Sequence, residues 1–219
     1  MKLLLASIGL NNKVAKDAIL GLTSSKTHAG RTIALCNNAY RFRLVRVVRA
    51  LVVGSFLRKL GYEVIHLDLA QMSEAEFAIS LHIFSNLYVG PGDTRRLAKV
   101  MQDTGFGQRL VDHLRNEDGL WIGESAGSIM AGFSIQTADS LGDSQAVQPS
   151  SLLGLNLLPN GASILPHAKA GIIAKYLNSP LSKTLEDEGS QVHCLADGDI
   201  MIVTDYMMKT KQREAKIQT

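Results

Sequence analysis

Residues 119–132 read Gly119-Leu-Trp-Ile-Gly-Glu-Ser-Ala-Gly-Ser-Ile-Met-Ala-Gly132, and this stretch decides the fold that the sequence predicts. Its apolar beginning, from Leu120 to Ile122, indicates the end of a buried strand, and its small residues after position 125 favour a helix. Ser125 then lies at the apex of a sharp strand-to-helix turn, within a Gly-x-Ser-x-Gly pattern. Glycines suit the flanks of such an apex because Cβ atoms would clash there. We interpret the serine as a nucleophile at the carboxyl edge of a sheet; an ordinary strand–helix connection is the alternative.

The rest of the chain alternates apolar, strand-like runs with segments of helical spacing. Strands are predicted at 2–7, 32–36, 63–68, 87–89 and 120–122, each followed by a helical segment. This alternation predicts a mainly parallel sheet covered by helices on both faces, which is a three-layer α/β sandwich.

The 219-residue length and the lack of a visible linker predict one domain, over residues 1–208. Near its end, residues 192–195 and 200–203 are expected to pair as a hairpin around the turn Asp197-Gly198. Residues 209–219 are charged and are expected to form a tail.

Composition and charge exclude several classes of partner. A net charge of +3 is too small to predict binding to nucleic acid or to a membrane surface. The arginines of the helix predicted over 42–60 favour a solvated face over phosphate contacts. No apolar run approaches the ~18 residues that span a bilayer. Cys36 and Cys194 lie in apolar runs without metal-ligand spacing. We therefore expect no metal, no cofactor and a cytoplasmic location; a homodimer is possible.

A serine hydroxyl needs a nearby base, usually a histidine that a carboxylate orients. Among six histidines, His167 follows an apolar run and a proline, as a residue at a sheet edge would. Structural or surface roles are the better interpretation for the other five: His28, His66, His82, His113 and His193. The acid is expected between residues 133 and 149, which gives the chain order Ser, Asp, His. Asp139 is the first candidate, and Asp143, after a glycine, is the alternative.

Four motifs together resemble peptidase E, the family of aspartyl dipeptidases that has cyanophycinase as a relative. They are Ser125-Ala-Gly127 after a strand, the Gly-rich turn over 90–94, Pro166-His167, and Leu195-Ala-Asp-Gly198 before a last strand. The resemblance covers nearly the whole chain. It implies a fold like that of class I glutamine amidotransferases, with serine in place of their cysteine nucleophile.

The resemblance also implies roles for single residues. Ser125 would be the nucleophile and His167 the base, and the family's acidic position falls near Asp139, with the register open by about one residue. The backbone N–H groups of Gly92 and Ala126 would hold an oxyanion.

The Gly-rich turn departs from the family pattern. The family has Gly-Gly-Gly-Asn-Thr or close to it, where this chain has Gly90-Pro-Gly-Asp-Thr94. Pro91 has no N–H to donate, and Asp93 brings a negative charge where the family has an amide.

The sequence therefore predicts a serine peptidase that acts on small peptides, with dipeptides carrying an N-terminal aspartate as one candidate substrate. An esterase or amidase with the same residues, and an inactive small-molecule-binding protein on this fold, are the alternatives. Aspartyl specificity would need a cation facing the substrate; Arg95, Arg96 and Lys169 lie in suitable segments, although solvated side chains are the simpler interpretation of each.

Overall fold

The computed structural model describes residues 1–23, 31–143, 146–187, 190–204 and 207–211. The strands are β1 (Lys2–Ala6), β2 (Thr32–Cys36), β3 (Glu63–Leu67), β4 (Asn86–Val89), β5 (Leu120–Glu124), β6 (Ser163–Leu165), β7 (Val192–Cys194), β8 (Ile200–Thr204) and β9 (Met207–Lys211). The helices are α1 (Lys13–Thr23), α2 (Arg43–Lys59), α3 (Glu74–Leu81), α4 (Thr94–Asp103), α5 (Phe106–Asn116), α6 (Ala126–Ala131), α7 (Ala170–Leu177) and α8 (Pro180–Asp187). Short 3-10 helices span Gln136–Leu141 and Pro159–Gly161. Within the described residues, no helix combines the length and the apolar composition needed to cross a bilayer.

Seven strands form one sheet in the order β3-β2-β4-β5-β1-β8-β9. The first five of these run parallel, and β8 and β9 are antiparallel to their neighbours. Both faces are covered: along β1, Leu3 and Leu5 pack into the core on one face, while Leu4 and Ala6 pack into the core on the other. The predicted mainly parallel α/β sandwich is confirmed.

Local sequence signals set several helix boundaries. Ser73 caps α3 in a reciprocal capping box with Glu76, as the sequence predicts. The helical region after the Gly-rich turn is broken at Gly105, which has a left-handed φ of 69° and separates α4 from α5.

The predicted terminal hairpin is wrong. β7 pairs in parallel with β6 in a separate two-stranded sheet, whereas β8 pairs with β1 and makes its hairpin with β9. The turn at Asp197-Gly198 therefore carries the chain between the two sheets instead of folding one strand back on the other. Lys209–Lys211, the start of the predicted tail, lie in β9. The rest of that tail, 212–219, and His28 lie outside the described residues.

Candidate active site

Ser125 lies on the turn between β5 and α6, with the unusual backbone angles φ 51° and ψ −105°. Its N–H donates to the carbonyl of Ala6 at 3.0 Å, which ties the turn to β1. The flanking glycines are required by close packing. A Cβ on Gly123 would come within 2.6 Å of the carbonyl oxygen of Gly127, and a Cβ on Gly127 would come within 2.1 Å of that of Val89. The strained elbow inferred from the sequence is present.

His167 faces the serine. Its Nε2 lies 2.9 Å from Ser125 Oγ, although 42 positions separate the two residues in the chain. The imidazole is presented just after β6 by a residue with a left-handed φ of 55°, a conformation that non-glycine residues rarely adopt. The side-chain oxygen of Ser7 stabilises this conformation by accepting the His167 N–H at 2.8 Å. The predicted pairing of this serine with this histidine agrees with the geometry.

The carboxylate beside His167 belongs to Asp197. Its Oδ1 lies 2.6 Å from Nδ1 of the imidazole, the nitrogen that faces away from Ser125. The same oxygen accepts a hydrogen bond from Ser7 Oγ at 3.0 Å, and Lys169 Nζ lies 3.3 Å from Oδ2. Burial raises the pKa of Asp197, but hydrogen bonds from His167, Ser7 and Lys169 outweigh burial and leave this pKa below its ordinary value. Asp197 is therefore charged at neutral pH.

Neither predicted acid contacts His167, so the assignment of Asp139 or Asp143 to this position is wrong. Asp139, on a 3-10 helix, forms an ion pair with the buried Arg95, with Nη2 and Oδ1 2.8 Å apart. Asp143 accepts the N–H of Thr94 at 2.6 Å, at the start of α4. Burial raises the pKa of Asp143. Both carboxylates are thus engaged with the first turn of α4, where a positive side chain and unpaired N–H groups attract them.

The two N–H groups expected to hold an oxyanion are those of Gly92 and Ala126. Neither makes a hydrogen bond to any other described residue. Gly92 has a φ of 138°, and a Cβ there would come within 2.8 Å of Ala39, so only glycine fits. Asp93, whose charge departs from the family pattern, accepts the N–H of Arg96 at 2.9 Å and caps α4. Its carboxylate is therefore engaged by the helix.

The three cations considered for substrate binding differ in their partners. Arg95 is held by Asp139, and Lys169 by Asp197. Arg96 keeps a buried Nε that has no hydrogen-bond partner within the described part of the chain. In that same part, no group of three or more His, Cys, Asp or Glu residues is arranged to hold a metal ion.

Sequence reasoning missed Asp197 and Ser7. Asp197 lies in the Leu195-Ala-Asp-Gly198 motif, but the Asp-Gly pair indicates a turn so strongly that we assigned it no chemical role. Ser7 directly follows β1, at the carboxyl edge where parallel strands bring side chains together, and this position was the available signal.

An α/β sandwich with a serine on an elbow, and a histidine and a carboxylate in line behind it, has the architecture of a serine hydrolase. The model of peptidase family S51 matches residues 3–211, and the chain belongs to that family. It is a serine-type peptidase, as the sequence predicts.

Individual relatives agree with this assignment. An uncharacterized peptidase of Listeria innocua, Lin0382, is 27% identical over 167 residues, which are 73% of this chain and 75% of the relative. A crystal structure of a candidate peptidase E protein from Listeria monocytogenes EGD-e superposes with a TM-score of 0.68 at 24% identity, covering 97% of this chain and 98% of that one. A peptidase from an acI-B1 actinobacterium gives a TM-score of 0.68 at 15% identity, covering 97% and 87%. These two structures show the shared fold.

Proposed function

We propose that this peptidase hydrolyses small peptides with Ser125 as nucleophile, His167 as general base and Asp197 as the carboxylate that orients the imidazole. The observation that carries the proposal is the line of contacts from Ser125 Oγ to His167 Nε2 at 2.9 Å and from Nδ1 to Asp197 Oδ1 at 2.6 Å. Both distances lie within hydrogen-bond reach, so the proton of the serine can pass to the imidazole.

The reaction follows from these contacts. Nε2 removes the proton from Ser125 as Oγ bonds to the substrate carbonyl carbon, and the carbonyl oxygen becomes an oxyanion. The imidazolium then gives that proton to the leaving amine, and the C–N bond breaks to leave an ester on Ser125. Water attacks the ester, and the imidazole accepts a proton from this water and returns it to Oγ. Asp197 holds the Nδ1–H throughout, which selects the tautomer with a basic Nε2.

The oxyanion is assigned to the N–H groups of Gly92 and Ala126. Both groups have no other hydrogen bond within the described residues, and Ala126 begins α6, where the helix dipole favours negative charge. Pro91 removes one donor that a glycine would supply. Asp93 caps α4 by accepting the N–H of Arg96. The carboxylate oxygen that makes this bond therefore does not compete with an oxyanion for the N–H groups of Gly92 and Ala126.

We propose that Arg96 binds the side-chain carboxylate of an N-terminal aspartate in the substrate and so makes the enzyme prefer such substrates. Arg95 and Lys169 are already paired with carboxylates, whereas the buried Nε of Arg96 has no hydrogen-bond partner within the described residues. A buried guanidinium nitrogen without an acceptor is unfavourable, and a substrate carboxylate would supply that acceptor.

Covalent labelling tests the nucleophile. A fluorophosphonate probe should label the wild type and the control Ser150→Ala, whose serine is exposed, but not Ser125→Ala. Thermal unfolding should show that Ser125→Ala remains folded, because a single hydroxyl on the elbow contributes little to the core. Equal labelling of all three proteins would overturn the assignment of Ser125, and no labelling of any of them would favour a binding protein.

Hydrolysis of aminoacyl p-nitroanilides tests the substrate. Asp-p-nitroanilide should be cleaved with a higher kcat/KM than the Asn and Leu compounds, and Arg96→Gln should remove that preference while it keeps the reaction with Leu. Cleavage of a matched ester with no cleavage of any anilide would favour an esterase. An Asp preference that survives in Arg96→Gln would exclude Arg96 as its source.

A further inference from the structure

A cavity of about 240 Å³ lies between α2 and the ends of β1 and β5, beside the proposed catalytic residues. It borders the site through two of its lining residues: Glu124, which directly precedes Ser125, and Ile8, which directly follows Ser7. Its volume is below the roughly 300–1,000 Å³ of pockets that take drug-sized ligands. The cavity therefore fits a single amino acid better than a longer peptide.

The two charged residues that line this cavity have opposite signs. Glu124 is only 5% exposed, and its carboxylate accepts the Gly9 N–H at 3.1 Å and the Tyr88 hydroxyl at 2.5 Å. Arg49 lies beside the Tyr40 ring but forms no ion pair with a carboxylate in the described part of the chain. Its Nε is buried there without an acceptor, which is unfavourable. One carboxylate and one guanidinium on the same cavity complement a ligand that carries an ammonium and a carboxylate.

Most of the remaining wall is apolar. It is formed by the side chains of Ile8, Leu10, Val52, Val53 and Phe56. An apolar side chain of the ligand would leave water for these contacts, whereas a charged side chain would lose its hydration without gaining a partner. Walls and charges together therefore fit an amino acid whose side chain is apolar.

The position of the cavity matches the leaving side of the proposed reaction. His167 gives its proton to the leaving amine, and its N–H is held by Ser7, the residue before Ile8. In a dipeptide the leaving residue carries the C-terminal carboxylate. Once the C–N bond has broken, the released amine takes up a proton from solvent and becomes an ammonium. The product is then a zwitterion, which is the ligand that Glu124 and Arg49 complement.

We propose that this cavity binds the second residue of a dipeptide substrate, with Arg49 on the C-terminal carboxylate and the apolar wall on the side chain. Glu124 then holds the ammonium that this residue gains on release. The inference rests on the proposed peptidase function and extends it, since Arg96 is assigned to the first residue of the substrate and the cavity to the second. It makes the enzyme prefer dipeptides that end in an apolar residue, and it makes the released amino acid a ligand.

Paired substrates test the contact with Arg49. The wild type should cleave Asp-Leu with a kcat/KM about ten-fold or more above that of the C-terminal amide Asp-Leu-NH2, because the amide loses a charge-assisted hydrogen bond. Arg49→Gln should bring the two values together. The matched control is Arg43→Gln, which removes an exposed arginine of the same helix and should keep the difference. Equal cleavage of the acid and the amide by the wild type, or of Asp-Leu and Asp-Glu, would overturn the proposal.

Calorimetric titration separates this inference from the peptidase function, since it needs no hydrolysis. L-Leucine should bind the wild type and Arg43→Gln, and it should bind Arg49→Gln about ten-fold or more weakly. Leucinamide, which lacks the carboxylate, should bind the wild type as weakly. Leucine binding by a protein that cleaves no peptide would overturn the peptidase and support the amino-acid site. Cleavage of Asp-p-nitroanilide without any binding of leucine would keep the peptidase and overturn the site.

Discussion

At the scale of single residues, the contact between His167 and Asp197 makes the sharpest prediction. Asp197→Asn should lower the turnover number by roughly 10⁴, because the amide no longer fixes the tautomer in which Nε2 accepts a proton. Asp139→Asn should leave turnover within a few-fold of wild type, since Asp139 faces Arg95. Steady-state kinetics on one substrate compare the two variants. A large loss in Asp139→Asn and none in Asp197→Asn would restore the acid that the sequence favours.

Ser7 acts through its neighbours and is a positioning residue. Its fully buried hydroxyl accepts the His167 N–H and donates to Asp197, so it fixes both the backbone of the base and the direction of the carboxylate. Ser7→Ala should reduce kcat by about ten-fold or more while it changes KM little, since about 1.4 kcal/mol of lost positioning corresponds to a factor of ten.

The pH dependence separates this role from a purely structural one. Without the Ser7 donor the Asp197 carboxylate is less stabilised, and its pKa rises. The acidic limb of the profile of kcat against pH should therefore move to higher pH in Ser7→Ala. It should not move in a control that lowers stability elsewhere. Ser7→Thr, which retains the hydroxyl, should recover part of kcat. An unchanged profile with a lower melting temperature would reduce Ser7 to a packing residue.

At the scale of elements, the elbow depends on the approach of α6 to β4. A methyl group on Gly127 would lie 2.1 Å from the Val89 carbonyl oxygen, so Gly127→Ala must push the helix away from the strand. We expect a loss of about 1–3 kcal/mol in the free energy of unfolding, together with loss of activity, measured by denaturant unfolding and by hydrolysis. The control is Gly171→Ala in α7, where nothing lies within 4 Å of the new methyl group. It should be neutral or stabilise the protein by up to about 1 kcal/mol, because alanine favours helix.

Element order was predictable from the sequence, and element pairing only in part. The alternation of strands and helices and the stretch over 119–132 predict the parallel sheet, because a buried strand can be recognised from the apolar residues of its own segment. The strand over 192–194 is different. Its partner β6 lies about thirty residues earlier in the chain, and nothing local distinguishes it from a strand of a hairpin.

The same limit explains the missed acid. The sequence favours Asp139 because elbow hydrolases have the chain order Ser, Asp, His, whereas the order in space is set by where the chain returns after β7. The sequence also predicts α2 correctly, and Arg41, Arg43 and Arg58 are exposed as a solvated face requires, whereas Arg46 and Arg49 are half-buried beside Asp68 and Tyr40. A pattern that is apolar on two sides does not say which side the rest of the fold covers.

At the scale of the whole molecule, Asp197 links the site to acid stability. The pKa of Asp197 is lower in the folded than in the unfolded chain, so this residue stabilises the fold when it is charged. The stabilisation is present in full above about pH 5 and is lost as the pH falls through the ordinary aspartate range near 3.9 and below it. The difference in unfolding free energy between wild type and Asp197→Asn, measured by urea unfolding across this range, should shrink towards zero in acid. A difference that grows as the pH falls would contradict this sign.

Two consecutive residues, the last of β1 and the one after it, hold both members of the proposed catalytic pair. The carbonyl of Ala6 accepts the N–H of Ser125 and the hydroxyl of Ser128, and Ser7 holds His167 and Asp197. Ser125 and His167 are thus both held in place by two adjacent residues at the carboxyl end of β1. A displacement of β1 should therefore move both residues together and leave their 2.9 Å separation nearly unchanged. We therefore expect the separation of these two side chains to depend on β1 and β5 more than on the outer strands β3 and β9.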